Sequence, residues 1–242
     1  MLELQAVPGL PEVRPGDDLA ALLAAAAEYA ATDVLAVAHK VVSKAEGRIV
    51  HLADVTPGPR ALELAQAHGK DPRHVEVVLS ESAEVVRADA GRLICRTRHG
   101  FVCANAGVDA SNATDPDTLI LLPLDPDASA RRLRAALPGR PAVVITDSFG
   151  RAWRQGQCEI AIGIAGLAPL EDWRGLPDIA GREMHATVIA IADEAAAAAD
   201  LARAKNSREP AVRIHGLERH VTVEDGPGVV ALVRRAEDDL FR

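Results

Sequence analysis

The stretch H-G-F-V-C-A-N-A-G-V-D-A-S-N, from His99 to Asn112, combines a strand signal with a dense group of polar side chains. Gly100 precedes an apolar run at 101–103, which predicts a short buried strand. Gly107 permits a tight turn after that strand. The turn brings together four side chains with oxygen or amide groups: Asn105, Asp109, Ser111 and Asn112.

This polar turn suits a metal that holds phosphate. Mg²⁺ prefers one or two protein carboxylates together with ligand phosphate oxygens, and Asp109 supplies a carboxylate beside a hydroxyl and an amide. The alternative is an Asx-rich turn that only caps the strand. The segment by itself leaves both interpretations open.

A second group of chemically active residues lies further along the chain. The β-branched run Ala142–Thr146 predicts a buried strand, and Asp147 and Ser148 follow it directly. An acid and a hydroxyl at the carboxyl end of a buried strand are typical of metal–nucleotide sites. Arg151 and Arg154 could then bind phosphate or carboxylate in a bidentate manner. The alternative is a polar loop whose arginines pair with nearby acids.

A third candidate lies nearer the N-terminus. The run Val34–Val42 predicts a buried strand, with Lys40 and Lys44 at its far end and Ser43 between them. Two lysines around a serine could hold a phosphate electrostatically. Solvated lysines at a strand end are the alternative.

The remaining pattern interleaves helices and strands without repeats, which indicates an α/β or α+β class. We expect an α+β fold with mixed sheets and interleaved helices. No G-x-x-x-x-G-K-[ST] motif is present, so any nucleotide is held by something other than a P-loop. The predicted helices cover 19–31, 59–68, 127–137, 193 to about 205, and 228–240, and the further strands cover 75–79, 92–96, 118–122, 160–165, 186–192 and 211–214.

Composition narrows the class of protein. The 242 residues are 48% hydrophobic, which is enough for the core of one or two domains. A net charge of -8 argues against a general nucleic-acid binder, which needs a basic face. No apolar run approaches the roughly 18 to 20 residues that span a bilayer, so we expect no membrane association and a cytoplasmic location. The three cysteines lack the spacing of a disulfide framework or a zinc site.

Five blocks in one order make the chain resemble the F420 γ-glutamyl ligase family over essentially its full length. The blocks are G-L-P-E-V-R-P-G-D (9–17), K-V-V-S-K-A-E-G-R (40–48), the stretch 99–112, D-S-F-G-R-A-W-R-Q-G (147–156) and A-I-G-I-A-G (161–166). The resemblance implies that family's fold in a single unit over 1–242, or two subdomains, without a C-terminal reductase-like domain. It also implies a homodimer.

The resemblance further implies a reaction. The enzyme would use GTP and a divalent metal, Mg²⁺ or Mn²⁺, with K⁺ as a further candidate ion. It would join L-glutamate to the carboxylate of F420-0 through an acyl phosphate, and then add further γ-linked glutamates. A carboxylate does not condense with an amine in water until it is activated, and phosphoryl transfer depends mainly on positioning and charge neutralisation.

Site residues follow from the same resemblance. Asp109 and Asp147 match shared metal ligands, and Ser148 matches a hydroxyl ligand for a second metal. From the chemistry of the reaction, rather than from the resemblance, we expect Arg151 or Arg154, with Lys44, to neutralise charge, and His99 is a candidate acceptor for the amine proton. The positions that match GTP contacts are Leu10, Pro11, Glu12, Val13, His39, Lys44 and Asn112.

Two other functions compete with this one. A different nucleotide- and metal-dependent carboxylate ligase or kinase would use the same groups. A non-catalytic GTP-binding module would bind the nucleotide without turnover.

Overall fold

The computed structural model describes residues 1–111, 115–204 and 206–239. The α-helices in this part of the chain are α1 (Leu19–Ala26), α2 (His39–Ala45), α3 (Pro59–His68), α4 (Pro72–Ser80), α5 (Pro126–Ala136) and α6 (Ile191–Leu201). Within the described ranges, every helix is too short or too polar to cross a membrane.

The strands form mixed sheets, which confirms the predicted α+β class. They are β1 (Glu3–Ala6), β2 (Val34–Ala38), β3 (Ile49–His51), β4 (Ser82–Asp89), β5 (Arg92–Thr97), β6 (Val102–Ala104), β7 (Thr118–Ile120), β8 (Ala142–Arg151), β9 (Arg154–Ala165), β10 (Glu171–Asp172), β11 (Val188–Ile189) and β12 (Ala211–His215). The main sheet has the order β1-β12-β2-β8-β9, in which β2 and β8 are parallel and the other pairs are antiparallel.

Two apolar clusters hold the described chain together. The larger one surrounds the central strands β2 and β8, whose residues from Val34 to Val37 and from Ala142 to Ile145 are fully buried. The smaller one packs α3 and α4 against β5 and β7, with Leu64, Val78 and Leu93 among its members. Burial on both faces explains why β2 and β8 read as continuous apolar runs rather than alternating patterns.

Two strand predictions in the first half of the chain are wrong in part or in full. The strand predicted over 34–42 ends at Ala38, because polar residues interrupt the apolar run there and α2 starts at His39. The strand predicted over 75–79 lies inside α4. Pro72 occupies the first turn of that helix, and the Asp71 carboxylate accepts from the backbone amide of Arg73, so local capping outweighs the β-branched composition.

The prediction of a final helix over 228–240 is also wrong for the described residues. They form short 3₁₀ turns at Val229–Ala231 and Ala236–Asp238. The Asp127 carboxylate accepts from the amide of Val229, and Gly228 adopts a φ of +77°. Arg134, whose side chain is only 4% exposed, donates to the carbonyls of Thr222 and Val223. These long-range bonds hold the C-terminal segment in an irregular path.

The strand predicted over 186–192 is shorter than expected. Only Val188–Ile189 pairs, with β10, and α6 already begins at Ile191. The predicted helix over 19–31 stops at Ala26, because Ala27 is extended. The helix predicted from 193 runs from Ile191 to Leu201. The remaining predicted elements are present, with boundaries that shift by up to six residues.

Candidate functional site

The site forms where the parallel pairing of β2 with β8 stops. β2 ends at Ala38, opposite Thr146, so His39 and Asp147 are the next residues on the two segments. Asp147 and Ser148, which were predicted to follow the strand, lie inside β8, because the pairing with β9 extends it to Arg151. The His39 Nε2 atom lies 3.3 Å from Asp147 Oδ1, and the histidine side chain is 2% exposed. Strand pairing thus places a predicted GTP residue beside a predicted metal ligand.

Lys40, the next residue of α2, contacts Asp109, the other predicted metal ligand. Lys40 Nζ lies 2.6 Å from Asp109 Oδ2 and donates to Ser111 Oγ at 2.8 Å. The backbone of Asp109 exchanges two hydrogen bonds with Ile120, which fixes its position against the end of β7. Two consecutive residues of one short helix therefore contact the two aspartates.

Asp109 is ionised at neutral pH despite its partial burial. Burial raises the pKa of this carboxyl, but hydrogen bonds from Lys40 and from the amide of Ser111 outweigh that effect. The pKa consequently lies below its ordinary value. A charged carboxylate with hard oxygen atoms is the form that binds Mg²⁺ or Mn²⁺.

The donor set fits a metal that is completed by phosphate oxygens. In the ranges that the structure describes, no group of three or more His, Cys, Asp or Glu side chains is arranged to hold a metal ion by itself. Asp109 and Asp147 each offer a carboxylate, and Mg²⁺ usually keeps waters and substrate phosphates as its other ligands. The predicted metal ligands thus fit an ion that arrives with a nucleotide.

Ser148 belongs to a buried polar group that the sequence pattern did not reveal. Its hydroxyl donates to Glu159 Oε1 at 2.5 Å, across the β8–β9 pair. The other oxygen of Glu159 lies 3.2 Å from Arg203 Nη2, and the two side chains are 6% and 8% exposed. Arg203 also donates to Thr146 Oγ1 and to the carbonyl of Pro210. Only the register of the hairpin could have placed Glu159 beside Ser148.

We expect Glu159→Ala to cost about 3 to 5 kcal/mol of unfolding free energy, because it removes the nearer and buried carboxylate partner of Arg203 and leaves only the more distant Asp200. Chemical denaturation measures this loss. Glu63→Ala is the matched control, since the Arg60–Glu63 pair is exposed and its removal should change little. Equal losses in the two variants would contradict a structural role for the buried ion pair.

A further side chain near Asp109 was also missed. His74 on α4 is partly buried, and its Nε2 atom has no hydrogen-bond partner among the described residues. Burial holds the pKa of His74 below its ordinary value, while the charge of Asp109 acts in the opposite direction. Nothing in the sequence around 74 distinguishes it from a surface histidine.

Of the predicted GTP residues in the N-terminal segment, Glu12 contacts the last turn of α2. Lys44 Nζ contacts Glu12 Oε1 at 2.5 Å, and Lys44 is 6% exposed as a residue. Val13 is buried in the main core, whereas Leu10 is half-buried and Pro11 is exposed. The structure therefore brings Glu12 and Lys44 together. Asn112 lies outside the described residues.

The predicted catalytic residues lie at two different places. Arg151 and Arg154 face each other across the exposed end of the β8–β9 hairpin. Arg151 Nη2 donates to the carbonyl of Gln155 at 2.8 Å, and the proposed roles of both arginines stay predictions. His99 stacks on Phe101 at 5.6 Å, and its Nε2 lies 3.0 Å from the Pro123 carbonyl oxygen. Its predicted role in proton transfer stays a prediction.

Comparison with known proteins gives consistent matches along the chain. A family model described as F420-0:Gamma-glutamyl ligase matches residues 9–216. A protein from Methanopyrus kandleri, named coenzyme F420:L-glutamate ligase, is 45% identical over 100% of this chain and 98% of its own length. Proteins of the same name from Methanothermobacter thermautotrophicus and Natronomonas pharaonis are 43% and 45% identical, again over 100% of this chain and over 99% and 95% of their own lengths.

Proposed function

Because this chain belongs to the F420-0:gamma-glutamyl ligase family, we propose that it joins L-glutamate to coenzyme F420-0 with GTP as co-substrate. The relatives' names support the acceptor and the amino acid. The observation that carries the proposal is the meeting of Asp109 and Asp147 with the first two residues of α2. This arrangement suits a nucleotide phosphate chain and its metal.

The proposed chemistry has two steps. An oxygen of the acceptor carboxylate attacks the γ-phosphorus of GTP, the bond to the β-phosphate oxygen breaks, and GDP leaves. The amine of glutamate then attacks the acyl carbon, inorganic phosphate leaves, and the amine proton passes to a base. Repetition on the side-chain carboxylate of the new residue would add further γ-linked glutamates.

The chain's own residues position and neutralise these groups. Asp109 and Asp147, with Ser148, would hold Mg²⁺ or Mn²⁺, which supplies positive charge to the phosphate oxygens. Lys40 and Lys44 lie along one helix and add positive charge on the β2 side. Arg151 and Arg154 remain exposed for the substrate carboxylates. We also propose, from the family resemblance, a cytoplasmic homodimer that uses K⁺ as a further ion.

The test is a product assay with purified protein, F420-0, L-glutamate, GTP and Mn²⁺ or Mg²⁺. Mass spectrometry of the acceptor and release of GDP are followed in parallel. We expect a gain of one or more glutamate masses, coupled to GDP. Release of GDP without a mass gain would instead support another carboxylate ligase or kinase, and GTP binding without either signal would support a non-catalytic module.

A further inference from the structure

A groove of about 390 Å³ lies over the main sheet on the β9 side of Asp147. Phe101, Phe149 and Ile160 line one part of it, and Val229, Leu232 and Val233 of the C-terminal segment line another. The volume falls within the range of about 300 to 1,000 Å³ that is usual for small-molecule pockets. An open, mainly apolar groove of this size suits a flat organic ring better than a small polar molecule such as glutamate.

The groove adjoins the candidate site through Phe149. Asp147 and Phe149 are two positions apart on β8, so their side chains lie on the same face of the strand. Their Cα atoms are about 7 Å apart. The rings of Phe149 and Phe101 meet edge to face at 6.2 Å. Two residues beyond Phe101, the buried thiol of Cys103 has a pKa raised to about 12, first by burial and then by the charge of Asp147. The aromatic pair therefore lies immediately beyond the predicted metal ligand.

The groove and the predicted nucleotide residues lie on opposite sides of β8. In the sheet order β2-β8-β9, His39 and Lys44 follow β2, whereas Ile160 belongs to β9. A nucleotide held along α2 would leave the groove open. The acceptor must reach the same phosphate from another direction, and the groove offers that approach.

The groove lining carries charges of both signs. Arg234 is exposed, whereas the Nη2 atom of Arg96 pairs with Glu84 at 2.5 Å and its Nε atom is buried without a hydrogen-bond partner among the described residues. Of the acids there, Asp193 already accepts from the amide of Ala161. Asp239 lies in the same lining. A phosphodiester could pair with the exposed guanidinium group of Arg234 beside the apolar walls.

We propose that this groove binds the flavin-like tricyclic ring and the phosphodiester chain of the acceptor, with the chain's terminal carboxylate directed toward Asp147. F420-0 is a deazaflavin that carries such a chain and carboxylate, so its ring suits the apolar walls, its phosphodiester suits Arg234, and its carboxylate can reach the adjoining site. This inference rests on the proposed function, and it assigns that function's acceptor to a defined surface.

Charged substitutions in the groove wall test this assignment. Leu232→Glu and Val233→Glu should each weaken F420-0 binding at least tenfold, since both side chains line the groove and the ligand is apolar or anionic there. Binding is measured without GTP by titrating the fluorescence of the deazaflavin ring. Val230→Glu is the matched control, because Val230 lies in the same segment, is 67% exposed and does not line the groove.

Kinetics separate the groove from the nucleotide site. In both groove variants the KM for F420-0 should rise at least tenfold while the KM for GTP stays within twofold of the wild-type value. If the C-terminal variants fail to fold, Val102→Glu gives the same test. Val102 also lines the groove, but it belongs to β6 and not to the C-terminal segment. If the wild-type enzyme is active and every folded groove variant still binds F420-0 normally, the assignment of F420-0 to the groove is wrong, while the proposed function stands. A wild-type protein that neither binds nor modifies F420-0 would overturn the proposed function as well.

Discussion

Replacing Asp147 by Asn should lower kcat/KM for glutamate ligation by about 1,000-fold or more, the size of effect expected when charge stabilisation at a reacting group is lost. Asn keeps the size of the side chain and removes its negative charge. Asp147 is 14% exposed as a side chain, accepts from the amide of Ser148 at 2.8 Å and lies beside His39. The amide can keep the short contact to Ser148, so the fold should survive. Asp109→Asn should have a similar effect on activity.

Steady-state kinetics at several metal concentrations measure this loss, and calorimetric titration with Mn²⁺ in the presence of a GTP analogue measures ion binding directly. Asp172→Asn is the matched control, because Asp172 is exposed and pairs with Arg174 on a two-stranded ribbon. We expect the control to keep its activity within twofold. Activity above a tenth of the wild-type value in Asp147→Asn and in Asp109→Asn, at ordinary metal concentration, would refute the metal site.

Replacing Lys40 by Met should change two properties in opposite directions. Lys40 Nζ occupies the position nearest Asp109 Oδ2, at 2.6 Å, so it competes with a metal ion for that carboxylate. Its removal should tighten Mn²⁺ binding several-fold. The same lysine supplies positive charge to phosphate in the proposed reaction, so turnover should fall about 100-fold.

Lys40→Arg is the control, because it keeps the charge and should recover much of the turnover while it leaves Mn²⁺ affinity near the wild-type value. Calorimetry and single-turnover kinetics give the two quantities separately. A variant Lys40→Met that binds Mn²⁺ more weakly and turns over normally would show that this lysine only organises the Asp109 turn.

Much of the candidate site was visible in the sequence. The apolar runs that begin at Val34 and Ala142 marked two buried strands, although β2 ends before the predicted boundary and β8 continues beyond it. Asp109 and Ser111 were marked in the same way by the glycine-containing turn that precedes them. Such signals can be read from the sequence because they depend on a few adjacent residues and on the conformations that those residues permit.

Other features depended on which segments meet in space. Glu159 reaches Ser148 only because β9 pairs with β8 in one register, and Arg203 reaches Glu159 only after α6 has packed on that sheet. The same reason explains the wrong helix at the C-terminus. Its composition favours a helix, but Asp127 and Arg134 bind the backbone of this region from a distance.

The sequence by itself therefore determined the α+β class, the family blocks and the residue types expected of the proposed nucleotide and metal site. Tertiary structure decided that His39 faces Asp147, that Lys40 faces Asp109 and that an apolar groove adjoins them. The physical reason is the range of the interactions. Local propensity and capping act over a few residues, whereas strand order, register and packing join groups that lie more than a hundred positions apart.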